Sequence, residues 1–209
     1  MRKLITEFIG TFFLVLVIGL VVLSGKGDFA PIAIGSVLMV MIFAGAHVSG
    51  AHYNPAVTLA VLLRGRITLK EGIPYMIVQV AGSIVAAFVV QFLLPDKMPP
   101  VAAAMASTSK ALIAEGLGTF ALAYAVLNVA TAKGTTGNMF YGLSIGFTVL
   151  SMAYALGGIS GGAFNPAVAV GISTMKLAAW GDFWVYLLGC FGGAALAALV
   201  FRINNPEDH

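Results

Sequence analysis

Long apolar runs alternate with short polar breaks along the chain, and six of the runs have the length of a membrane span. Each holds about 20 apolar residues, enough helix to cross roughly 30 Å of hydrocarbon. A helical structure is predicted because the residue-by-residue alternation of a membrane β-barrel is missing from these runs. The predicted spans lie at 4–24, 30–48, 70–94, 111–131, 139–158 and 179–203.

Two further apolar segments, 55–63 and 166–175, are too short to span a bilayer. Each follows Gly-rich sequence and precedes a charged turn, which contains Arg64 and Arg66 in the first case and Lys176 in the second. Irregular backbone at membrane depth is tolerated where it lines a wet cavity or is buried in protein, because unpaired N–H and C=O groups are costly in hydrocarbon. The segments are therefore predicted to be re-entrant half-helices beside a wet path.

Composition places the chain in the membrane class, with 60% hydrophobic residues, 9% charged residues and a mean hydropathy of +1.00. The first run contains Glu7 and lacks a small-residue cleavage site, so it is interpreted as a permanent span. The single Cys190 excludes a disulfide framework and a metal cluster, and the scattered basic residues argue against nucleic acid as a partner. No catalytic set, metal motif or phosphate loop is recognisable among the spans, so neither an enzyme nor a cofactor is expected.

Basic residues near the span ends predict that both termini are cytoplasmic. This orientation puts seven of the eleven inside, namely Arg2, Lys3, Arg64, Arg66, Lys70, Lys133 and Arg202. The short loops fit a prokaryotic plasma membrane. The polar tail at 203–209 is expected to be mobile.

The chain repeats itself. TEFIGTFFL at 6–14 matches AEGLGTFAL at 114–122, and the Asn-Pro-Ala words begin at Asn54 and Asn165. Each half holds three full spans, and an odd number of crossings inverts the second half relative to the first. The half-helices then enter from opposite faces and meet near the midplane. The predicted organisation is a single domain at 1–209, which contains repeats at 4–94 and 111–203 and a linker at 95–110 between them.

Asn54 and Asn165 are predicted to be helix N-caps, with Pro55 and Pro166 at the first helical positions. The positive dipole ends of both half-helices then face each other at the bilayer centre and repel cations. Two carboxamides can donate N–H bonds to one water or hydroxyl oxygen, which suits small neutral solutes. The plainer alternative is two ordinary caps. The irregular segment before each half-helix is called its leader. The remaining candidates are the motif residues Ala56 and Ala167 and the path-lining leader residues Gly50, Ala51, His52, Gly161 and Ala163.

Glu7 and Glu115 occupy equivalent positions of the two repeats. Carboxylates inside a membrane can form a proton relay, but the symmetry of this pair favours hydrogen bonding to the irregular leader backbones. His52 is a candidate for lining the path or tuning it with pH, whereas His47 is interpreted as a core imidazole bonded to a backbone carbonyl.

At these residues the sequence resembles the aquaporin and aquaglyceroporin family, through both E-x-x-G-T stretches, SGAHYNPAVT and the second NPAV. The resemblance covers nearly the whole chain and implies six tilted helices and two half-helices around a pore, in a homotetramer. It also implies a filter formed by Ile34, Ala153, Gly162 and Val168. Most members carry Arg where this chain has Val168, and Val lacks its charge, donors and bulk. A wider, apolar constriction is therefore expected.

The resemblance implies a passive channel for water and small neutral solutes such as glycerol, urea and ammonia. A strict water channel stays open, as does a closed membrane protein of the same fold with a structural role. An ion-coupled transporter also uses inverted repeats and broken helices. It would normally place charged residues at the midplane, however, and none lies near Asn54 or Asn165 in the sequence.

Overall fold

The computed structural model describes residues 1–208, within which all regular secondary structure is helical. The last residue of the predicted domain, His209, lies outside the described residues. Among residues 1–208, six helices are long and apolar enough to cross a membrane, and two are half-length. In chain order the helices are α1 Arg2–Leu23, α2 Ala30–Ser49, α3 Pro55–Leu63, α4 Leu69–Leu93, α5 Thr108–Val126, α6 Tyr141–Ser160, α7 Pro166–Thr174 and α8 Phe183–Asn204.

The predicted spans are confirmed as helices, with shifts of a few residues at their ends. The fourth continues beyond α5 as a π-helical turn, Leu127–Thr131. The sixth starts later than predicted, because a short 3₁₀ turn at Trp180–Asp182 precedes α8. The N–H of Ala179 donates to the carbonyl of Ala103 in the linker at 2.9 Å, so the chain before this turn is paired outside the helix.

Glycines allow the long helices to cross at close range. A Cβ on Gly35 of α2 would lie 2.6 Å from the Gly146 carbonyl oxygen of α6, and the reverse distance is also 2.6 Å. A Cβ on Gly82 of α4 would lie 2.6 Å from the Phe8 carbonyl oxygen of α1. Its repeat equivalent Gly193 meets the backbone of α5 in the same way. Small residues thus permit the backbone contacts that substitute for hydrophobic driving force within a membrane.

Each half-helix packs on the third long helix of both repeats, so the two halves of the chain interlock. Helix α3 contacts α4 and α8, and α7 contacts α4 and α8. The two half-helices also contact each other. This arrangement brings Asn54 and Asn165 together in the interior, where both are buried.

The tail was expected to be mobile, but its described part is docked against two loops. The buried Asp208 carboxylate accepts bonds from Arg64 at 2.7 Å, Arg66 at 3.5 Å and the Lys133 N–H at 2.7 Å, and the Lys133 ammonium donates to the Glu207 carbonyl at 2.8 Å. The Lys133 N–H bond and then the neighbouring cations hold the pKa of Asp208 below its usual value. The prediction missed these contacts because the partners lie far apart in sequence.

Candidate functional site

Helices α2 and α6 both end at a glycine, and irregular leader segments follow. Gly50 and Gly161 close the helices in the left-handed region, with φ of 87° and 91°. Ala51, Tyr53 and Phe164 also have positive φ, at 52°, 48° and 49°. Such residues cost about 1–3 kcal/mol each and persist only where the surroundings fix them. The leaders therefore need strong tertiary support.

The Glu7 carboxylate supports the first leader and is fully buried. One oxygen accepts from the Ser49 hydroxyl at 2.6 Å and the His52 N–H at 3.0 Å. The other accepts from the Tyr53 N–H at 2.7 Å and the Gln79 amide at 2.8 Å. Two of these four donors are backbone N–H groups of the leader itself, so this one carboxylate holds the leader directly.

Glu115 repeats this arrangement for the second leader. Its oxygens accept from the Ser160 hydroxyl at 2.6 Å, the Ala163 N–H at 3.0 Å and the Phe164 N–H at 2.7 Å, with the Cys190 sulfur at 3.6 Å in the place of Gln79. A cavity runs past Asn54 and Asn165, and neither Glu7 nor Glu115 is among the described residues that line it. The geometry thus favours support of the leaders over a proton relay.

Aromatic residues that the sequence reasoning overlooked also hold the leaders. The Tyr53 and Phe164 rings are buried against Gly10 and Gly118, where a Cβ would overlap them. The Tyr53 hydroxyl donates to the Met41 carbonyl at 2.9 Å. The recurrence of Gly10 and Gly118 in the two E-x-x-G-T stretches was the available signal, but their ring partners could not be inferred from it.

A tyrosine pair closes the two helix ends. Tyr75 of α4 donates to the Ser49 carbonyl at 2.9 Å, and Tyr186 of α8 donates to the Ser160 carbonyl at 2.8 Å. Helices leave their last carbonyls unpaired, so each hydroxyl satisfies a buried acceptor. The equal spacing of Tyr75 and Tyr186 from their Asn motifs was a signal in the sequence that went unused.

Both motif asparagines cap their half-helices through the side-chain oxygen. Asn54 Oδ1 accepts from the Ala56 N–H at 2.8 Å, and Asn165 Oδ1 accepts from the Ala167 N–H at 2.9 Å. Pro55 and Pro166 occupy the first helical positions and are buried with these alanines. These caps orient each carboxamide so that its nitrogen points across the meeting point.

The carboxamide nitrogen of each asparagine bonds to a backbone carbonyl of the other repeat, so the two bonds form a crossed pair. Asn54 Nδ2 donates to the Phe164 carbonyl at 2.9 Å, and Asn165 Nδ2 donates to the Tyr53 carbonyl at 2.9 Å. Each nitrogen carries two hydrogens, so one N–H per asparagine remains for a solute. The crossed bonds fix the direction of both donors before any solute arrives, which ordinary caps would not require.

An apolar cavity of about 400 Å³ runs past the two asparagines. Much of its wall consists of repeat-equivalent pairs, namely Leu14 and Leu122, Ile18 and Val126, Ile34 and Ile145, Leu38 and Val149, and Val57 and Val168. Both asparagines lie within this wall. A path of this kind offers a few fixed polar groups between hydrophobic walls, as small-molecule sites do.

Three of the four expected filter residues, Ile34, Gly162 and Val168, line the cavity. Ala153 does not, and α6 contributes Ile145 and Val149 instead. Counting back from Asn165 leads to Ala153 of α6, but the side chains of α6 that face inwards depend on how that helix is rotated in the bundle.

Only some of the expected leader residues line the cavity. Ala51, His52, Gly161 and Ala163 line the cavity, whereas Gly50 is exposed and is not among the described lining residues. Gly50 turns the chain at the end of α2 instead. The part of each leader beside the asparagines thus lies at the cavity wall, and the role of these residues in conduction stays a prediction.

His52 makes the wall asymmetric. Its Nδ1 lies 3.1 Å from the Thr58 hydroxyl, which in turn accepts from Gln79 at 3.1 Å. Its ring lies edge-on to Tyr75, with 5.3 Å between centroids. The repeat equivalent of His52 is Ala163, which has none of these contacts. The imidazole is therefore held in one orientation on one side of the asparagines only.

Part of the linker also enters the cavity. Residues 103–106 line it, and Met105 packs against the core. The Met105 N–H donates to the Asp182 carboxylate at 2.9 Å, and the Ala103 carbonyl accepts from Ala179 at 2.9 Å. These bonds to the residues just before α8 fix a segment that the sequence pattern marked only as a connection.

Comparisons with known proteins agree on one family. The family model described as Major intrinsic protein matches residues 1–201. Aquaporin NIP1-4 of Oryza sativa subsp. japonica is 32% identical over 211 residues, which cover 97% of this chain and 77% of that protein. Glycerol uptake facilitator protein-like 6 of Lactiplantibacillus plantarum is 35% identical over 222 residues, which cover 100% of both.

A solved structure shares the fold. The aquaglyceroporin from Plasmodium falciparum superimposes with a TM-score of 0.81 over 99% of this chain and 97% of that one, at 23% identity. With six helices of membrane length and this family match, the chain is an integral membrane protein.

Proposed function

Because the chain belongs to the major intrinsic protein family, we propose that it is a passive channel for water and small neutral solutes. The observation that carries the proposal is the crossed pair Asn54 and Asn165, whose remaining N–H groups face an apolar cavity between the repeats. A water or hydroxyl oxygen that accepts both donors is poorly oriented to pass a proton on. The half-helix dipoles add a barrier to cations.

The absence of a charge at Val168 favours solutes larger than water. Ile34, Gly162 and Val168 present no side-chain donor, so this part of the wall selects by size and polarity rather than by bonding. Glycerol, urea and ammonia are the proposed solutes. The relative named a glycerol uptake facilitator protein, matched over its full length, supports glycerol among them.

The proposal also covers the oligomeric state, the type of membrane and the orientation of the termini. By family resemblance the channel is a homotetramer with a pore in each protomer. A prokaryotic plasma membrane is supported by the bacterial relative, and cytoplasmic termini are supported by the distribution of Lys and Arg. Native mass spectrometry in detergent measures the oligomeric state. Protease access to a C-terminal tag in oriented vesicles measures on which side of the membrane the C-terminus lies.

Stopped-flow light scattering on proteoliposomes tests the channel. Rapid water flux with a low activation energy is expected, together with fast entry of glycerol or urea. Val168→Arg should slow the larger solutes and spare water, because Arg adds bulk and donors to the wall. Val168→Leu is the matched control, since it adds bulk without charge or donors.

Other outcomes separate the alternatives. Fast water flux without entry of any solute would indicate a strict water channel. Flux that collapses when an ion gradient is removed would point to a coupled transporter. Flux equal to that of empty liposomes would leave a closed structural protein and would refute the proposal.

A further inference from the structure

A second concave surface lies apart from the central cavity, where the starts of α1 and α4 meet the end of α2. This groove of about 800 Å³ shares none of its residues with the cavity wall. Besides Tyr75, its polar residues are Arg2, Lys3, His47, Lys70 and Glu71. His47 was expected to be a core imidazole, but its position on the exposed rim of this groove corrects that interpretation.

The groove carries more positive charge than it neutralises. Among the described residues that line it, Glu71 is the one carboxylate, and the Lys3 ammonium pairs with it at 3.0 Å. Within residues 1–208, no hydrogen-bond or ion-pair partner is found for the Arg2 guanidinium or the Lys70 ammonium. Two unpaired cations thus remain in one concave site, which is complementary to an anionic group such as a phosphate.

Beside these charges the surface becomes apolar. Leu69, Ile73 and Ile77 of α4 recur every fourth residue and are 62%, 53% and 63% exposed. They form a stripe that flanks the helix face of Lys70 and leads away from the groove along the membrane-spanning part of α4. On α1, Ile5 is likewise 51% exposed just beyond Arg2 and Lys3. The cations therefore sit at the end of an exposed apolar track.

We propose that this groove binds the headgroup of an anionic phospholipid from the surrounding bilayer. Its phosphate contacts Arg2 and Lys70, and its acyl chains follow the stripe of Leu69, Ile73 and Ile77. A free phosphate or an acidic peptide would use the charges but leave the stripe uncovered. Basic pockets at the membrane surface bind lipid headgroups in this way, and each Lys or Arg there contributes about 1 kcal/mol, or roughly five-fold in affinity.

The test is native mass spectrometry of the full chain, titrated in detergent with phosphatidylglycerol or with neutral phosphatidylcholine. The protein should retain phosphatidylglycerol preferentially. Arg2→Gln combined with Lys70→Gln should weaken its retention by about 25-fold, from two contributions of about five-fold. The matched control is Lys26→Gln with Lys97→Gln, which removes two cations outside the groove and should change retention by less than two-fold.

Glu71→Gln provides a test that misfolding cannot imitate. It releases Lys3 from its ion pair, so retention of phosphatidylglycerol should rise several-fold. Equal retention of both lipids, or equal loss in the control pair, would overturn the proposal. So would displacement of the lipid by millimolar inorganic phosphate or by an acidic peptide, since either result would make the site one for soluble anions. Stopped-flow water flux of every variant confirms that the proteins are folded.

Discussion

The leader segments depend on two buried carboxylates, and Glu115→Gln tests that dependence directly. Ala163 and Phe164 donate their N–H groups to different oxygens of Glu115, at 3.0 Å and 2.7 Å. A carboxamide has one oxygen and one NH₂ group. Whichever way it turns, one backbone N–H loses its acceptor and faces another donor.

The magnitude follows from these contacts. A buried donor without a partner costs about 1–3 kcal/mol, and the surviving bonds weaken by about 1 kcal/mol when the acceptor becomes neutral. Glu115→Gln is therefore expected to lower the free energy of unfolding by about 2–4 kcal/mol. For a chain of this size, about 2–4 °C per kcal/mol gives a fall of roughly 4–16 °C in Tm. Water flux should fall as well, since Phe164 also supplies the carbonyl that orients Asn54.

Thermal unfolding of the purified protein in detergent, followed by circular dichroism, measures this loss. Glu207→Gln is the matched control, because Glu207 is exposed and its side chain has no recorded partner among the described residues. If Glu115→Gln and Glu207→Gln unfold at the same temperature and conduct water equally, the carboxylate does not support the leader and the reasoning fails.

Three further predictions concern other parts of the chain. Because the pKa of Asp208 is lowered, its docking stabilises the fold at neutral pH, and this contribution is lost as the pH falls through that lowered pKa. Asp208→Asn should therefore lower Tm at pH 7 more than near pH 3. Equal changes in Tm at the two pH values would contradict this. Gly118→Ala places a Cβ in the Phe164 ring and should cost about 1–3 kcal/mol in unfolding measurements, whereas Gly192→Ala, with open space around it, should be silent. Met105→Ala should speed glycerol entry in stopped-flow assays without changing water flux, because it shortens a side chain in the cavity wall; unchanged glycerol entry would argue against a role in selection.

Local features of the sequence determined most of the architecture. Runs of about 20 apolar residues predict membrane helices because hydrocarbon forces the backbone to pair within each span. Asn-Pro at 54–55 and 165–166 predicts a helix start because a cap and a fixed φ act within a few residues. The doubled motif then placed the two half-helices, and the structure has them at Pro55–Leu63 and Pro166–Thr174.

Only the tertiary structure decided which side chains face the cavity and which groups pair across the bundle. Helix α6 is apolar on its lipid side and its inner side alike, so hydrophobic periodicity could not distinguish Val149 from Ala153. The crossed bonds of Asn54 and Asn165 and the docking of Asp208 join residues more than 70 positions apart. Such contacts depend on the rotation and crossing of whole helices, which packing fixes and which no short stretch of sequence encodes.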